Sequence, residues 1–220
     1  MRKYGTMFFE KYAQITLEHI VSEGYSDLVN RDRPDLQSPD GKSRGIEVTR
    51  AMEGSKESSD SLIKQMSGIV PAEGDSEYFR AMKRSGYYYG NNLGEISEKE
   101  YHYWRLAQPL SRVLESKVSK LANGLYGEFD RIGLFVFCKD PLTKLQVEKA
   151  CNLVSSLQKY NELRYNTMYL SEISNLHACN LDLSISSIGR IVTYRISMET
   201  RKELFLETVR NQLDDEKILR

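Results

Sequence analysis

Apolar residues recur at helical spacing over residues 5–23, where Phe9, Ala13, Leu17 and Ile20 form a stripe, Glu10, Gln14 and Glu18 fall on the adjoining face, and Gly24 supplies a stop. Residues 25–30 read as a short strand, and strands near 33–38 and 44–50 follow on either side of Asp40-Gly41, a tight-turn dipeptide whose two residues tolerate positive φ. A helix is expected over 55–69, with Leu62, Ile63, Met66 and Ile69 as its stripe. Residues 70–97, rich in Gly, Ser, Asn and Tyr and without periodicity, read as a long loop. Ser97-Glu98-Lys99-Glu100 is a capping box, and the stripe that follows it runs through Tyr101, Trp104, Leu110, Val113, Leu114, Val118 and Leu121, with a break at Pro109 and a close at Asn123-Gly124. Ile132 to Cys138 is a continuous apolar run, the pattern of a strand covered on both faces. An amphipathic helix over 143–160, strands near 165–170, 181–185 and 190–196, and a helix over 199–213 complete the chain.

The hairpin carries chemistry. If Ser38 and Ser43 close its loop, facing positions sum to 81, and a one-residue bulge shifts the sum to 82. Either register sets Asp35 diagonal to or opposite Glu47, and side chains so related stand about 5 Å apart at Cβ, within range of one shared divalent cation. Ile46 and Val48 are β-branched and point to the core, which leaves Glu47 and Thr49 together on the other face. The plainer alternative is that charges flanking a turn form a solvated face.

A chain of 220 residues can bury one core, and a single domain over 1–220 is expected. The 31 basic and 31 acidic residues cancel, so no global cationic field marks a nucleic-acid binder, and any such binding must be local. Arg31, Arg33, Lys42, Arg44 and Arg50 gather around the hairpin, interleaved with acids, and Arg80, Lys83 and Arg84 precede Tyr87-Tyr88-Tyr89, a run that suits base stacking or, more often, a loop clasp. Cys138, Cys151 and Cys179 have no metal or disulfide spacing and read as buried small apolar residues. No signal peptide is recognised, and the longest apolar run falls far short of the ~20 residues that span a bilayer. A soluble, cytoplasmic protein is expected. Gly41-Lys42-Ser43 lacks the upstream glycine of a phosphate-binding loop, no serine-hydrolase elbow occurs, and His19 and His102 read as packing residues of helical faces.

Pro34-Asp35 followed by Glu47-Val48-Thr49 resembles the PD-(D/E)XK nuclease superfamily, with Thr49 where that motif has lysine. The resemblance implies an α/β, restriction-endonuclease-like αβββαβ core, a mixed central sheet flanked by helices. That core would cover residues 5–70 and 131–220, with a helical and loop insertion over 71–124 and extra C-terminal elements. It further implies Mg²⁺ or Mn²⁺ held by Asp35, Glu47 and the Val48 carbonyl, with Glu10 of the first helix orienting water or a second ion. The implied activity is hydrolysis of a nucleic-acid phosphodiester, DNA in the first instance, and a homodimer is compatible with it. Thr49 cannot supply the motif's positive charge, and loss of one preorganised donor costs roughly 3–4 kcal/mol in the transition state. A lysine from the following helix is expected to compensate, Lys64 ahead of Lys56. The alternative is a relative that lost its chemistry and kept nucleic-acid binding or assembly.

Overall fold

In the computed structural model, residues 6–21, 24–51, 63–68, 109–138, 141–182 and 190–218 are described. Among the described residues seven strands form one mixed open sheet whose spatial order is the chain order. They are β1 (Val29–Asn30), β2 (Leu36–Gln37), β3 (Arg44–Ala51), β4 (Arg131–Cys138), β5 (Thr167–Ser171), β6 (Asn175–Asn180) and β7 (Ile191–Arg195). β3, β4 and β5 run parallel, and the pairs outside them on both sides are antiparallel. Among the described residues the longer helices are α1 (Thr6–Thr16, continued by a π-turn over Leu17–Val21), α2 (Pro109–Ala122), α3 (Lys144–Leu157) and α4 (Met198–Ile218).

β4 takes the central place its apolar run implies. Leu134, Val136 and Cys138 face a core shared with α2 and α3, while Phe135 and Phe137 face one shared with α1 and α4. On that second face Phe9 meets Phe137 edge-on and Phe8 meets Phe205, with ring centroids 5.5 Å apart in each pair. Each fully buried side chain of this size contributes roughly 1.5–3 kcal/mol, so burial on both faces makes β4 a main contributor to the stability of the sheet.

Local chemistry sets the helix ends. α2 is described from Pro109 onward, a residue whose missing N–H and preset φ suit a first helical position, and the break expected there falls at the edge of the described residues. At the other end Gly124 has φ 71°, its N–H donates to the Leu121 carbonyl, and Leu125 N–H donates to the Lys120 carbonyl. That pair of bonds is a left-handed cap for which glycine is suited. Thr143 caps α3: its hydroxyl accepts from Gln146 N–H, and the Gln146 side chain accepts from Thr143 N–H. α2 falls within the segment expected as an insertion, yet Leu110, Leu114, Val118 and Leu121 belong to the sheet's own core.

One of the two hairpin registers is selected, and one strand expectation needs revision. The loop of the first hairpin spans residues 39–43, because the Asp40 carboxylate accepts from Lys42 N–H, Ser43 N–H and the hydroxyls of Ser38 and Ser43, and these bonds hold its carboxyl well below the usual range. Ser38 N–H therefore donates to the Arg44 carbonyl, and facing positions sum to 82. Of the strand expected at 181–185, residues 181 and 182 are not in a strand and 183–185 lie outside the described residues; the strand that follows β5 is β6 at Asn175–Asn180. Its alternation is hidden in the sequence because a buried residue, His177, is polar. The expected long loop, its tyrosine run, the capping box at Ser97, His102, Lys56 and most of the helix over 55–69 lie outside the described residues.

Candidate functional site

β2 begins no earlier than Leu36 for a reason written in the chain. By the register Leu36↔Ile46, position 34 would face Val48. Pro34 has no N–H to donate, and its carbonyl accepts instead from the Gln37 amide at 3.0 Å. Val48 N–H is left without a ladder partner and donates to the Asp35 carboxylate at 2.7 Å. A side chain has replaced a backbone bond, and it leaves a carboxylate at the rim of the sheet beside the strand that carries Glu47. Gly45 permits the approach, since a Cβ there would lie 2.6 Å from Pro34 Cγ.

Glu47 points to the α2 face, as alternation requires: its in-register neighbour Leu134 belongs to that core, whereas Ile46 and Val48 belong to the other. The residue is buried, and its carboxylate forms an ion pair with the Lys117 ammonium of α2. Lys117 lies in register with Leu110, Leu114 and Leu121 on the apolar stripe of α2. A lysine on such a stripe requires an acid on the surface it covers.

Glu10 reaches the same neighbourhood from α1. It is buried, accepts a 2.5 Å hydrogen bond from the Asn30 amide, and acts electrostatically on Asp35. Burial, then the carboxylates of Glu47 and Glu10, push the Asp35 carboxyl up to about 7 against the opposing pull of Val48 N–H and Lys117. When all are ionised, three carboxylates and one ammonium leave two negative charges in a largely dehydrated place.

Two tyrosines floor the site. Tyr165 is fixed at both backbone groups by Gln158, which donates to its carbonyl at 2.9 Å and accepts from its N–H at 3.0 Å. Its hydroxyl donates to the Lys117 carbonyl at 3.4 Å. The Tyr126 hydroxyl sits within reach of the Glu47 carboxylate and the Tyr165 hydroxyl, yet it completes a hydrogen bond to neither. Burial and Glu47 hold the Tyr126 phenol protonated across the physiological range, and burial does the same for Tyr165.

Of the residues anticipated from sequence, Asp35, Glu47 and Glu10 come together, and Thr49 is half-buried two places along the Glu47 face. Lys64 is exposed on a helical turn at residues 63–66, and the amine that pairs with Glu47 is Lys117 in its stead. Arg50 turns to the opposite face, where its guanidinium lies 4.6 Å from the centre of the Phe9 ring.

Hard carboxylate oxygens with a surplus of two negative charges suit a small divalent cation such as Mg²⁺ or Mn²⁺. Among the described residues, no group of three His, Cys, Asp or Glu side chains has metal-holding geometry. A cation here would therefore draw on two carboxylates, backbone and water. Two clefts of about 390 and 230 Å³ lie at the start of β4 and β5, lined by Ile132, Asn166 and Asp182 in common, and neither is lined by Asp35 or Glu47. No helix among the described residues is long and apolar enough to cross a membrane. No family model, curated protein or solved structure matches the chain.

Proposed function

We propose that the protein is a metal-dependent phosphodiesterase of nucleic acid, with a PD-(D/E)XK-like site in which Asp35, Glu47 and the Val48 carbonyl hold Mg²⁺ or Mn²⁺. The observation that carries this reading is the Lys117 ammonium seated on Glu47. It supplies, from α2, the positive charge that Thr49 cannot. The agreement of β3 and β4 as parallel neighbours, preceded by α1 and the antiparallel β1 to β3, with an αβββαβ core is further support.

In this reading a bound cation supplies Lewis-acid polarisation of the phosphate. Asp35 and Glu47 would hold it as ionised carboxylates, so Asp35 would have to give up the proton that its raised pKa favours. Lys117 donates N–H bonds to phosphate oxygen as charge grows there, an effect worth roughly 10²–10³ in rate. Glu10, held by Asn30, orients the attacking water.

A second reading has its own observation. The same ion pair occupies a Glu47 oxygen and ties α2 to β3, as a purely structural bridge would in a relative that retained only nucleic-acid binding. Calorimetric titration of Mn²⁺ into wild type, Asp35→Ala and Glu47→Ala, followed by incubation with a mixed DNA and RNA pool, separates them. Uptake by wild type alone, with Mn²⁺-dependent cleavage, supports the enzyme. Equal behaviour of all three proteins would overturn the metal site, and uptake without cleavage favours the inactive relative.

A further inference from the structure

We propose that Tyr126 is a positioning residue for Glu47, its hydroxyl held in reserve in the metal-free protein and donated to the Glu47 carboxylate when that carboxylate turns from Lys117 to a divalent cation. The inference rests on the metal-site reading above. Tyr126 is only 4% exposed, and its hydroxyl oxygen is among the few buried side-chain polar atoms of the described residues that complete no hydrogen bond. A buried hydroxyl without a partner is unfavourable, and native structures tolerate one where another state compensates it.

Its surroundings indicate which state that is. The Tyr165 hydroxyl uses its proton on the Lys117 carbonyl. Of the two phenols beside Glu47, only Tyr126 therefore has a proton not already donated. Glu47 is at present served by the Lys117 ammonium, and a second strong donor would be superfluous. Once a dication draws Glu47 and repels the ammonium, the carboxylate needs a donor on its protein side to fix its orientation, as ligating carboxylates commonly have. Tyr126 stands on rigid supports, since the capped end of α2 at Gly124 precedes it and its ring is packed in the core with Leu121 and Tyr165.

The test compares wild type with Tyr126→Phe by Mn²⁺ calorimetry and by thermal melting in chelator. We expect Mn²⁺ affinity to fall roughly 10–100-fold, while the metal-free melting temperature stays the same or rises because the deleted hydroxyl had no bond to lose. A merely structural tyrosine would move the melting temperature without moving affinity. Wild-type Mn²⁺ affinity in the variant, or a metal-free melting temperature lowered by several degrees, would overturn the proposal. Failure of wild type itself to take up Mn²⁺ would overturn the underlying site reading and this inference with it, so the two failures are distinct.

Discussion

Lys117 and Glu47 stand 70 residues apart in the chain and meet as an ion pair between α2 and β3, their side chains only 15% and 8% exposed. Neither charge has full access to water, so each depends on the other. Removing one partner of a buried pair leaves the other uncompensated, at a cost of about 3 kcal/mol.

Lys117→Met is therefore expected to lower metal-free stability by about that amount, and Mn²⁺ should restore much of it by neutralising Glu47. Metal affinity should hold or rise, while cleavage drops by roughly 10²–10³. Adding Thr49→Lys to this variant places an amine on the Glu47 face and should return part of the activity. Denaturant melts with and without Mn²⁺, beside a cleavage assay, read all three effects. Cleavage by Lys117→Met at the wild-type rate removes the lysine from the mechanism.

The Asp35 carboxyl, raised to about 7 from its ordinary value of 3.8, makes a prediction about pH. Between about pH 4 and 7 the folded protein holds one proton more than the unfolded chain, so stability falls as pH rises through that window. Above it the ionised Asp35 is a net cost. Asp35→Asn keeps an oxygen for Val48 N–H and removes the charge. Because Asp35 is partly solvated, the discounted gain at pH 8 is about 1–2 kcal/mol, and it should vanish below about pH 4. Urea midpoints for both proteins on either side of that window and within it, without metal, would measure this, and a difference independent of pH would contradict it.

Gly45 lets the chain before β2 lie against β3. A methyl group there would stand 2.6 Å from Pro34 Cγ and 3.3 Å from the Phe129 ring. Gly45→Ala should cost about 1–3 kcal/mol through overpacking and, by pushing Pro34, displace Asp35 from Val48 N–H. The expected signature is a weakened Mn²⁺ isotherm in a protein that still folds. Unchanged affinity would show that Asp35 is not positioned by this contact.

A separate polar cluster joins the β5–β6 turn to the start of α3. Glu172 is fully buried and takes bonds from His177 Nε2 at 2.8 Å, from Asn175 Nδ2 at 2.8 Å and from Leu142 N–H at 2.5 Å, while His177 Nδ1 meets the Thr193 hydroxyl at 2.9 Å. His177→Phe removes one donor from the buried Glu172 carboxylate, which keeps Asn175 and Leu142. A loss of about 1–3 kcal/mol corresponds to a melting temperature lower by roughly 2–12 °C in a chain of this size. Mn²⁺ binding should be untouched, and calorimetry on the variant would expose any hidden link to Asp35 and Glu47.

The sequence alone determined what short-range physics controls. Helical spacing located α1, α3 and α4, the unbroken run Ile132 to Cys138 marked a strand covered on both faces, and alternation around Ile46 and Val48 put Glu47 on the face away from them. It also brought Asp35 and Glu47 into one neighbourhood, because a hairpin is local and its two possible registers differ little there. Tertiary structure decided the rest. Only docking of α2 on the sheet could select Lys117 over Lys64 as the partner of Glu47, since any lysine can meet an acid across so long a separation, although a cation in register with Leu114 and Leu121 was the trace it left in the sequence. The unpartnered Tyr126 hydroxyl left none. Whether a buried phenol finds a hydrogen bond depends on the close convergence of segments far apart in the chain, which no pattern of hydrophobic and polar residues encodes.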